Sequence, residues 1–425
     1  MKKKSFNVSK NMKVNTDPKE IEEFLTRGVE KVVTKEELKK KMSSGKKLRA
    51  YIGYDVTGPD LHIGHGATLM KLLHWQKLGH QVILVIGDDT SRIGDHSDKL
   101  EKRKRLTDKE IDFNKKQFRE QFAKIIDLNI AEVRYNSEWL DKLKFRDVVE
   151  LASLFSLQQM IDRENFAERL KMKKTIGLEE IMYPLMQGYD SVALNVDLEM
   201  GATDQTFNLL AGRKIMQAFG LKPQSVITVP FVTGTDGRKM SKSWGNYIPM
   251  RASAKDLFGG IMSCVDDVII EYFTRLTNIP LDKIKEMEKD LKEGKIEPME
   301  LKKNLASEVT KIYYDEKEAQ KAQEHFEKTV QKGELPEEVT MINGKIFKGS
   351  EISLLELLKT VVKVRKGDKG LPASNAEIKR LVKQGGVKID GNPITDLDQE
   401  VDIKSNPIIT IGKRYHLKVK FNKGD

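Results

Sequence analysis

Two short apolar runs, LRAYIGYD (48–55) and QVILVIGDD (81–89), flank a stretch in which Leu69, Leu72 and Leu73 recur at helical spacing. The runs read as buried strands, and the stretch from about Gly64 to Leu78 reads as helix, entered through a loop carrying Gly58, Pro59 and Asp60. Strand, crossover helix and strand make a βαβ unit, which is right-handed and belongs to a parallel sheet. A third apolar run, SVITVP (225–230), reads as another strand of the same sheet. An α/β fold with a Rossmann-like parallel sheet is therefore expected.

Segments between these runs carry helical patterns. In 147–161, Val148, Leu151, Ala152, Phe155 and Met160 form one apolar stripe. From 252 to 330 Lys and Glu dominate, with Glu286, Lys289, Lys292 and Glu293 on a solvent side and Gly294, Pro280 and Pro298 as interruptions, so this reads as a small helical domain rather than a coiled coil. A loop around Gly333 to Pro336 leads to a last segment: helix at 351–364, a basic helix at 374–384, then short strands in GVKID, IITIG and YHLKVKF. The expected organisation is an N-terminal helical extension (1–44), a Rossmann-type domain (45–250), a helical domain (251–335), a linker (336–350) and a small α+β domain (351–425). No internal repeat is visible.

At 425 residues the chain is long enough for two or three domains. No apolar run approaches the roughly 20 residues of a membrane span, and the basic start MKKKSFNVSKNMK has no apolar stretch after it, so neither a transmembrane protein nor a secretory leader is expected. Cys264 is the single cysteine, which leaves no disulfide framework and no cysteine-based zinc site and fits a reducing cytoplasm. The formal charge is +11, and residues 359–425 hold fifteen Lys/Arg against eight Asp/Glu, a net +7. Charge alone fits a solvated lysine-rich surface as well as it fits a footprint for nucleic-acid phosphates.

Two constellations carry chemistry. LHIGHG (61–66) places His62 and His65 three residues apart where a strand passes into a helix, so the two imidazoles share one face of a helix N-terminus. The free N–H groups and positive dipole of that end favour an anionic phosphate, and Gly64 and Gly66 are expected to let a nucleotide approach. GRKMSKSWGN (237–246) sets Lys239 and Lys242 among serines and glycines, as suits a loop closing over phosphates. A metal site or structural cap for the histidines, and a surface lysine loop for the second segment, are the plain alternatives when each is taken alone.

Together the two segments are very similar to the HIGH and KMSKS motifs of class I aminoacyl-tRNA synthetases. The resemblance implies an ATP site in the crevice at the sheet's C-terminal edge. YIGYDVTGPDLHIGH and YPLMQGYD (183–190) resemble the tyrosyl branch of bacterial type, in which the Tyr, Gln and Asp of the second segment lie on one side of a helix. By resemblance Tyr183 and Gln187, with Asp95, hold the substrate ammonium; Asp190 and Tyr51 meet the phenol hydroxyl. GATDQ (201–205) is similar to the segment in which Asp204 contacts ribose and Gln205 lies near the substrate carboxylate. Thr57, His62 and His65 would meet the phosphates, while Lys239 and Lys242 close over the leaving pyrophosphate. Gly53, Asp55, Gly64, Thr68, Met240, Ser241 and Ser243 complete the implied ATP site, and Lys99 and Arg103 add to the clamp. Magnesium would arrive with ATP as part of the substrate, and no zinc is implied.

SNAEIKRLVKQGGVKIDGNPI (374–394) resembles a small RNA-binding module, and Lys379, Arg380, Lys383 and Lys388 are its candidate contacts to the tRNA(Tyr) backbone. The family implies a homodimer in the cytoplasm, with tyrosine and ATP as further partners and no membrane. Departures from the branch pattern are Val56 for proline, Ile52 at a position where some relatives hydrogen-bond, His96 with Asp98 in the IGDHSD turn beside Lys99 and Arg103, and Thr206-Phe207 after the Asp-Gln pair. Three other readings stay open. A tryptophanyl enzyme should lack the Tyr51/Asp190 pair and the tail. A synthetase-derived RNA-binding protein should have lost His62, His65, Lys239 and Lys242. A HIGH-type nucleotidylyltransferase making a coenzyme would have no use for the tail.

Overall fold

The computed structural model describes residues 12–95, 105–162, 164–331, 339–347, 349, 351–364, 371, 374–412 and 415–420. The chain divides into two compact bodies, meeting in sequence at Ala322 and Gln323.

The first body is built on a six-stranded sheet. Its strands are β1 (Lys31–Val33), β2 (Arg49–Asp55), β3 (Gln81–Gly87), β4 (Glu132–Tyr135), β5 (Leu198–Ala202) and β6 (Ser225–Val229). They lie in the order β1-β6-β5-β2-β3-β4. The five strands from β6 to β4 run parallel, and β1 pairs antiparallel with β6 along the edge. Val82 to Ile86 of β3 are all buried, as a parallel strand covered by helices on both faces requires. The order reverses at β2: the chain runs outward through β3 and β4, then returns to place β5 on the other side. In open α/β sheets the crevice beyond the strand ends at such a reversal is where ligands bind.

The segment expected as an N-terminal helical extension holds helices Pro18–Thr26 and Lys35–Ser43, but β1 between them joins the catalytic sheet. Three residues of mixed polarity carry no periodic signal. The stripe at 147–161 is likewise two helices, Phe145–Ser153 and Leu157–Ile161. The Ser156 hydroxyl accepts from the Gln159 N–H at 3.2 Å and starts the second helix afresh. The helical region after residue 252 follows its prolines: Pro280 precedes helix Leu281–Lys292, and Pro298 opens helix Pro298–Tyr313, the positions at which a missing N–H costs nothing.

One ion pair in this body is fully buried. Arg169, at the end of helix Glu164–Lys171, forks onto Glu180 in the first turn of helix Leu178–Leu194, at 2.5 and 3.1 Å. Both side chains are 1% exposed or less. Arg169 also donates to the Thr175 carbonyl, and Glu180 accepts from the Gly177 N–H at 2.8 Å. The pair fixes where helix Leu178–Leu194 begins, and that helix carries Tyr183, Gln187 and Asp190.

The second body has a five-stranded sheet in the order β10-β9-β12-β13-β7 and a two-stranded pair, β11-β8. These strands are β7 (Thr340–Asn343), β8 (Glu351–Ser353), β9 (Val387–Ile389), β10 (Asn392–Ile394), β11 (Glu400–Asp402), β12 (Ile408–Ile411) and β13 (Tyr415–Lys420). Helices Leu354–Val364 and Asn375–Lys383 pack Leu354, Leu357, Leu358, Val361, Ile378 and Val382 onto Ile409, Leu417 and Val419. The segment read as a linker contains β7, which pairs parallel with β13, and residues 351–353 are strand rather than the start of a helix.

Arg169→Met should lower the stability of the folded chain by about 3–5 kcal/mol, because Glu180 is left buried without its cation. Replacing both partners with Met and Leu should restore most of that loss in chemical denaturation. A single variant as stable as the double would contradict the role given to the pair.

Candidate active site

A cavity of about 320 Å³ opens beyond the ends of β2 and β5. Its walls come from the end of β2 with the loop into helix Ile63–Lys77, the end of β3 with the turn after it, helix Leu178–Leu194, the turn after β5 and the loop after β6, with Phe118 and Asn136 completing them. These are the ends that meet where the strand order reverses.

The helix Ile63–Lys77 forms one end of the cavity. His62 is its N-cap: its Nδ1 accepts from the Gly64 N–H at 3.2 Å, and the His62 N–H is accepted by His65 Nδ1 at 3.2 Å. This is a capping box made of two imidazoles, with ring centroids 4.0 Å apart. Because each Nδ1 accepts, each neutral ring carries its proton on Nε2. Both rings therefore keep an Nε2–H donor free of the backbone. Burial pushes His62 down to about 2, with His65 and Lys242 adding repulsion, and pushes His65 down to about 4, with Lys242 again opposing charge. The pair supplies neutral donors, not cations.

Gly64 is needed for the cap, since a Cβ there would lie 2.8 Å from His62 Nδ1. Gly66 has a different role from the one expected. It is buried, and a Cβ would run into the hydroxyl of Tyr313 from helix Pro298–Tyr313, so it serves helix packing rather than nucleotide approach. Gly53 does face open space in the cavity, and Thr57 lies beside it at the loop. Thr68 lines the wall while its hydroxyl donates to the His65 carbonyl at 2.8 Å and pairs with Tyr54 at 2.7 Å.

The loop after β6 reaches the same end. Leu61 and Ile63 are tied to its return by Ile63 N–H to the Ile248 carbonyl (3.0 Å) and Met250 N–H to the Leu61 carbonyl (2.9 Å). Lys242 donates to the Asp60 carbonyl, and Lys239 lies 3.4 Å from the centroid of the Phe231 ring. Lys239, Met240 and Lys242 line the cavity; Ser241 and Ser243 do not, and the Ser241 hydroxyl accepts from the Ser243 N–H at 3.2 Å. Asn246 shapes the loop from inside. Its carbonyl accepts from Ser241 N–H at 2.8 Å, and its amide donates to Asp236 at 2.7 Å and to the Lys239 carbonyl at 3.1 Å. Its place within the lysine-serine motif was the signal for that role.

At the other end lie the groups expected to hold an amino acid. Tyr183 donates to Asp55 at 3.1 Å, and Asp55 also accepts from Thr90 at 2.7 Å. Asp55, assigned by resemblance to ATP, thus touches the amino-acid side. Asp95 accepts from Gln205 at 2.5 Å, and Gln205 in turn accepts from Asn208 at 3.0 Å. Asp204 lines the wall next to Gln205. Asp190, 3% exposed, accepts from the Trp139 indole at 2.8 Å, with Asn136 as a further donor. Burial, then the nearby Glu199 and Asp55 carboxylates, push Asp190 well above the ordinary range against those two donors. Asn136 directly follows β4 and Trp139 lies in the short helix Ser137–Leu140 that it caps, and nothing in the sequence marks them as partners of Asp190.

Tyr51 comes from β2. It shares a face of β2 with Gly53 and Asp55 but sits a layer deeper, against Ile83, Val85, Trp139 and Leu194. Its hydroxyl pairs with Ser191 Oγ at 2.8 Å beside Glu199, and Tyr51 is not on the cavity wall. Burial, then the nearby Glu199 and Asp190 carboxylates, push the Tyr51 hydroxyl above its ordinary range. Lys99 and Arg103, with His96 and Asp98, lie outside the described residues.

The cavity thus has a donor-rich, cationic end and an acidic, tyrosine-lined end, as joining a triphosphate to an amino acid requires. A family model described as tRNA synthetases class I (W and Y) matches residues 43–331. The chain belongs to that family. Among its relatives are the tyrosine–tRNA ligase of Thermotoga maritima, 43% identical over 403 residues covering 95% of this chain and 98% of the relative, and that of Dehalococcoides mccartyi, 41% identical over 406 residues, 95% and 100%. The fold is similar to the solved tyrosyl-tRNA synthetase of Archaeoglobus fulgidus complexed with L-tyrosine, at 25% identity and a TM-score of 0.59, covering 72% of this chain and all of that one. As a class I synthetase, the chain has ATP as its activating substrate.

The histidines have a consequence for pH. His62, His65, His74 and His80 are all held down by burial, to about 2, 4, 3 and 4. The unfolded chain takes up these protons near 6.5 and the folded chain does not, so the stability is complete above 6.5 and is lost as pH falls towards 4. The melting temperature should drop over that range, and the double variant His62→Asn, His65→Asn should show a shallower fall. Identical slopes would mean that the fold does not hold these two rings neutral.

Proposed function

We propose that this class I synthetase is a tyrosine–tRNA ligase, which makes tyrosyl-adenylate from tyrosine and ATP and passes the tyrosyl group to the 3′-terminal ribose of tRNA(Tyr). The observation that carries this reading is Asp190: a buried carboxylate held by Trp139 and Asn136 at the inner end of a cavity whose outer end is the His62/His65 cap. A carboxyl in that place receives a phenol O–H beside its two protein donors, and a phenylalanine ring would remove that third hydrogen bond at a cost of about 1–3 kcal/mol. Tyr183, Gln187 and Asp95 take the ammonium, and Gln205 lies near the substrate carboxylate.

From there the chemistry is positioning and electrostatics. The tyrosine carboxylate attacks the α-phosphorus of MgATP, and the bond to the β,γ-pyrophosphate breaks as charge grows on the phosphate oxygens. The Nε2–H groups of His62 and His65, with Thr57, donate to those oxygens. Lys239 and Lys242 accompany the leaving pyrophosphate, and Gly53, Gly64, Thr68, Asp204 and Met240 line the nucleotide's side of the cavity. No protein nucleophile is needed. In the second step the tRNA ribose hydroxyl attacks the carbonyl of the adenylate and AMP leaves.

The second body supplies the RNA contact in this reading. Lys379, Arg380, Lys383 and Lys388 are all exposed, while Ile378 and Val382 of the same helix face the core. A homodimer is supported by the exposed apolar side chains Phe145 (85%), Val149 (50%), Leu157 (58%) and Leu178 (73%) on helices that flank the site. Among the described residues no helix is long and apolar enough to cross a membrane. We place the enzyme in the cytoplasm, where its tRNA substrate is charged. The helices after residue 251 form the anticodon-binding type of domain in this scheme.

The direct test is charging. With MgATP and total tRNA, the purified chain should esterify labelled tyrosine and not labelled tryptophan. Charging with tryptophan would overturn the tyrosine assignment, since the family holds both kinds.

A further inference from the structure

Behind the amino-acid end of the cavity lies a carboxylate that no step above uses. Glu199 is the second residue of β5, 1% exposed, opposite Tyr51 of β2 in the strand register. Four polar side chains from three elements converge on it. Gln187 Nε2 donates to Glu199 Oε1 at 3.2 Å. Ser191 Oγ and Gln224 Nε2 donate to Oε2 at 3.1 and 2.7 Å. Tyr51 also donates to Glu199 and pairs with the Ser191 hydroxyl at 2.8 Å, and Gln224 donates to Ser191 at 3.0 Å. Space for the cluster is reserved by Gly212 on helix Thr206–Ala218, where a Cβ would stand 2.8 Å from Gln224 Nε2, 2.9 Å from Ser191 Oγ and 3.1 Å from Glu199 Oε2.

Of the four, only Gln187 also lines the cavity. A carboxamide has one donor and one acceptor branch, and Glu199 occupies the donor branch. The acceptor branch of Gln187 is then the one left for a ligand. Without Glu199 the amide could turn over and offer N–H groups to the cavity, which would repel an ammonium instead of receiving it.

We propose that Glu199 is a positioning residue for substrate selection: by accepting from the Gln187 amide it presents the Gln187 carbonyl to the α-ammonium of the amino acid. It also commits the Ser191 and Tyr51 hydroxyls to the protein interior. The inference rests on the reading that Gln187 meets the ammonium. Glu199→Gln keeps the size and shape of the side chain and is therefore a fair replacement.

The test compares two ligands that differ only at the amine. Tyrosine and 3-(4-hydroxyphenyl)propanoic acid share the phenol and the carboxylate. Glu199→Gln should weaken tyrosine binding tenfold or more and leave the deamino acid within twofold of its original Kd. Gln187→Ala should behave alike, and the double variant should be no worse than Gln187→Ala alone. Equal weakening of both ligands by Glu199→Gln would reduce Glu199 to a structural part and overturn the proposal. So would an unchanged tyrosine Kd in Glu199→Gln when Gln187→Ala weakens it. If Gln187→Ala itself leaves tyrosine binding unchanged, the ammonium reading of Gln187 falls and this inference with it. Should Glu199→Gln fail to fold, Glu199→Asp, which keeps the charge but shortens the reach, must show the same selective loss of tyrosine.

Discussion

The first turn of a helix leaves its backbone N–H groups without partners, and at the end of β2 that unmet need organises the rest of the site. Here the groups are capped by imidazoles in place of the usual hydroxyl or carboxylate. The consequence is chemical as well as structural: fixing Nδ1 as acceptor on both rings fixes Nε2–H as donor. A carboxylate cap would have placed negative charge where a triphosphate has to lie. The lysine loop is held to the same turn by backbone pairing at Leu61 and Ile63, so the two halves of the phosphate site are one construction, although roughly 175 residues separate them in the chain.

The opposite end depends on a different balance. Asp190, Asp55, Asp95 and Glu199 gather acidic groups in a small volume, and burial raises Asp190 and Glu199. Such a cluster is tolerable because fixed donors surround it: Trp139, Tyr183, Thr90, Gln205 and Gln187 each supply one hydrogen bond. In the proposed reading the acidic end faces an ammonium and a phenol, and the donor-rich end faces phosphates. A cavity polarised in this way orients its two substrates before any chemistry begins. The Arg169–Glu180 pair and the Gly212 gap act at one remove, setting where helix Leu178–Leu194 begins and how closely it packs.

Much of this was legible in the chain. Strands β2, β3 and β6 are short runs of apolar residues, and helix Ile63–Lys77 announces itself by leucine spacing. Residues that their own helix or loop brings to the cavity, such as His62, His65, Tyr183 and Asp190, could be placed together from local sequence. What could not be read depends on distant partners. Tyr51 sits on the face of β2 that carries Gly53 and Asp55, and only the packing depth sends its hydroxyl to Ser191. Glu199 is an acid inside an apolar strand, a sign of something unusual that does not name its four donors. Gly66 looks like part of a nucleotide motif and instead makes room for Tyr313, some 250 positions later in the chain. The antiparallel edge β1 and the strand β7 are too short for periodicity to register.

The central claim is that one polarised cavity at the junction of β2 and β5 joins tyrosine to ATP. Amino-acid-dependent exchange of pyrophosphate into ATP, run without tRNA across all twenty amino acids, examines that claim most directly. Tyrosine should support exchange and the other nineteen should not. Exchange with tryptophan, or with no amino acid at all, would contradict the account.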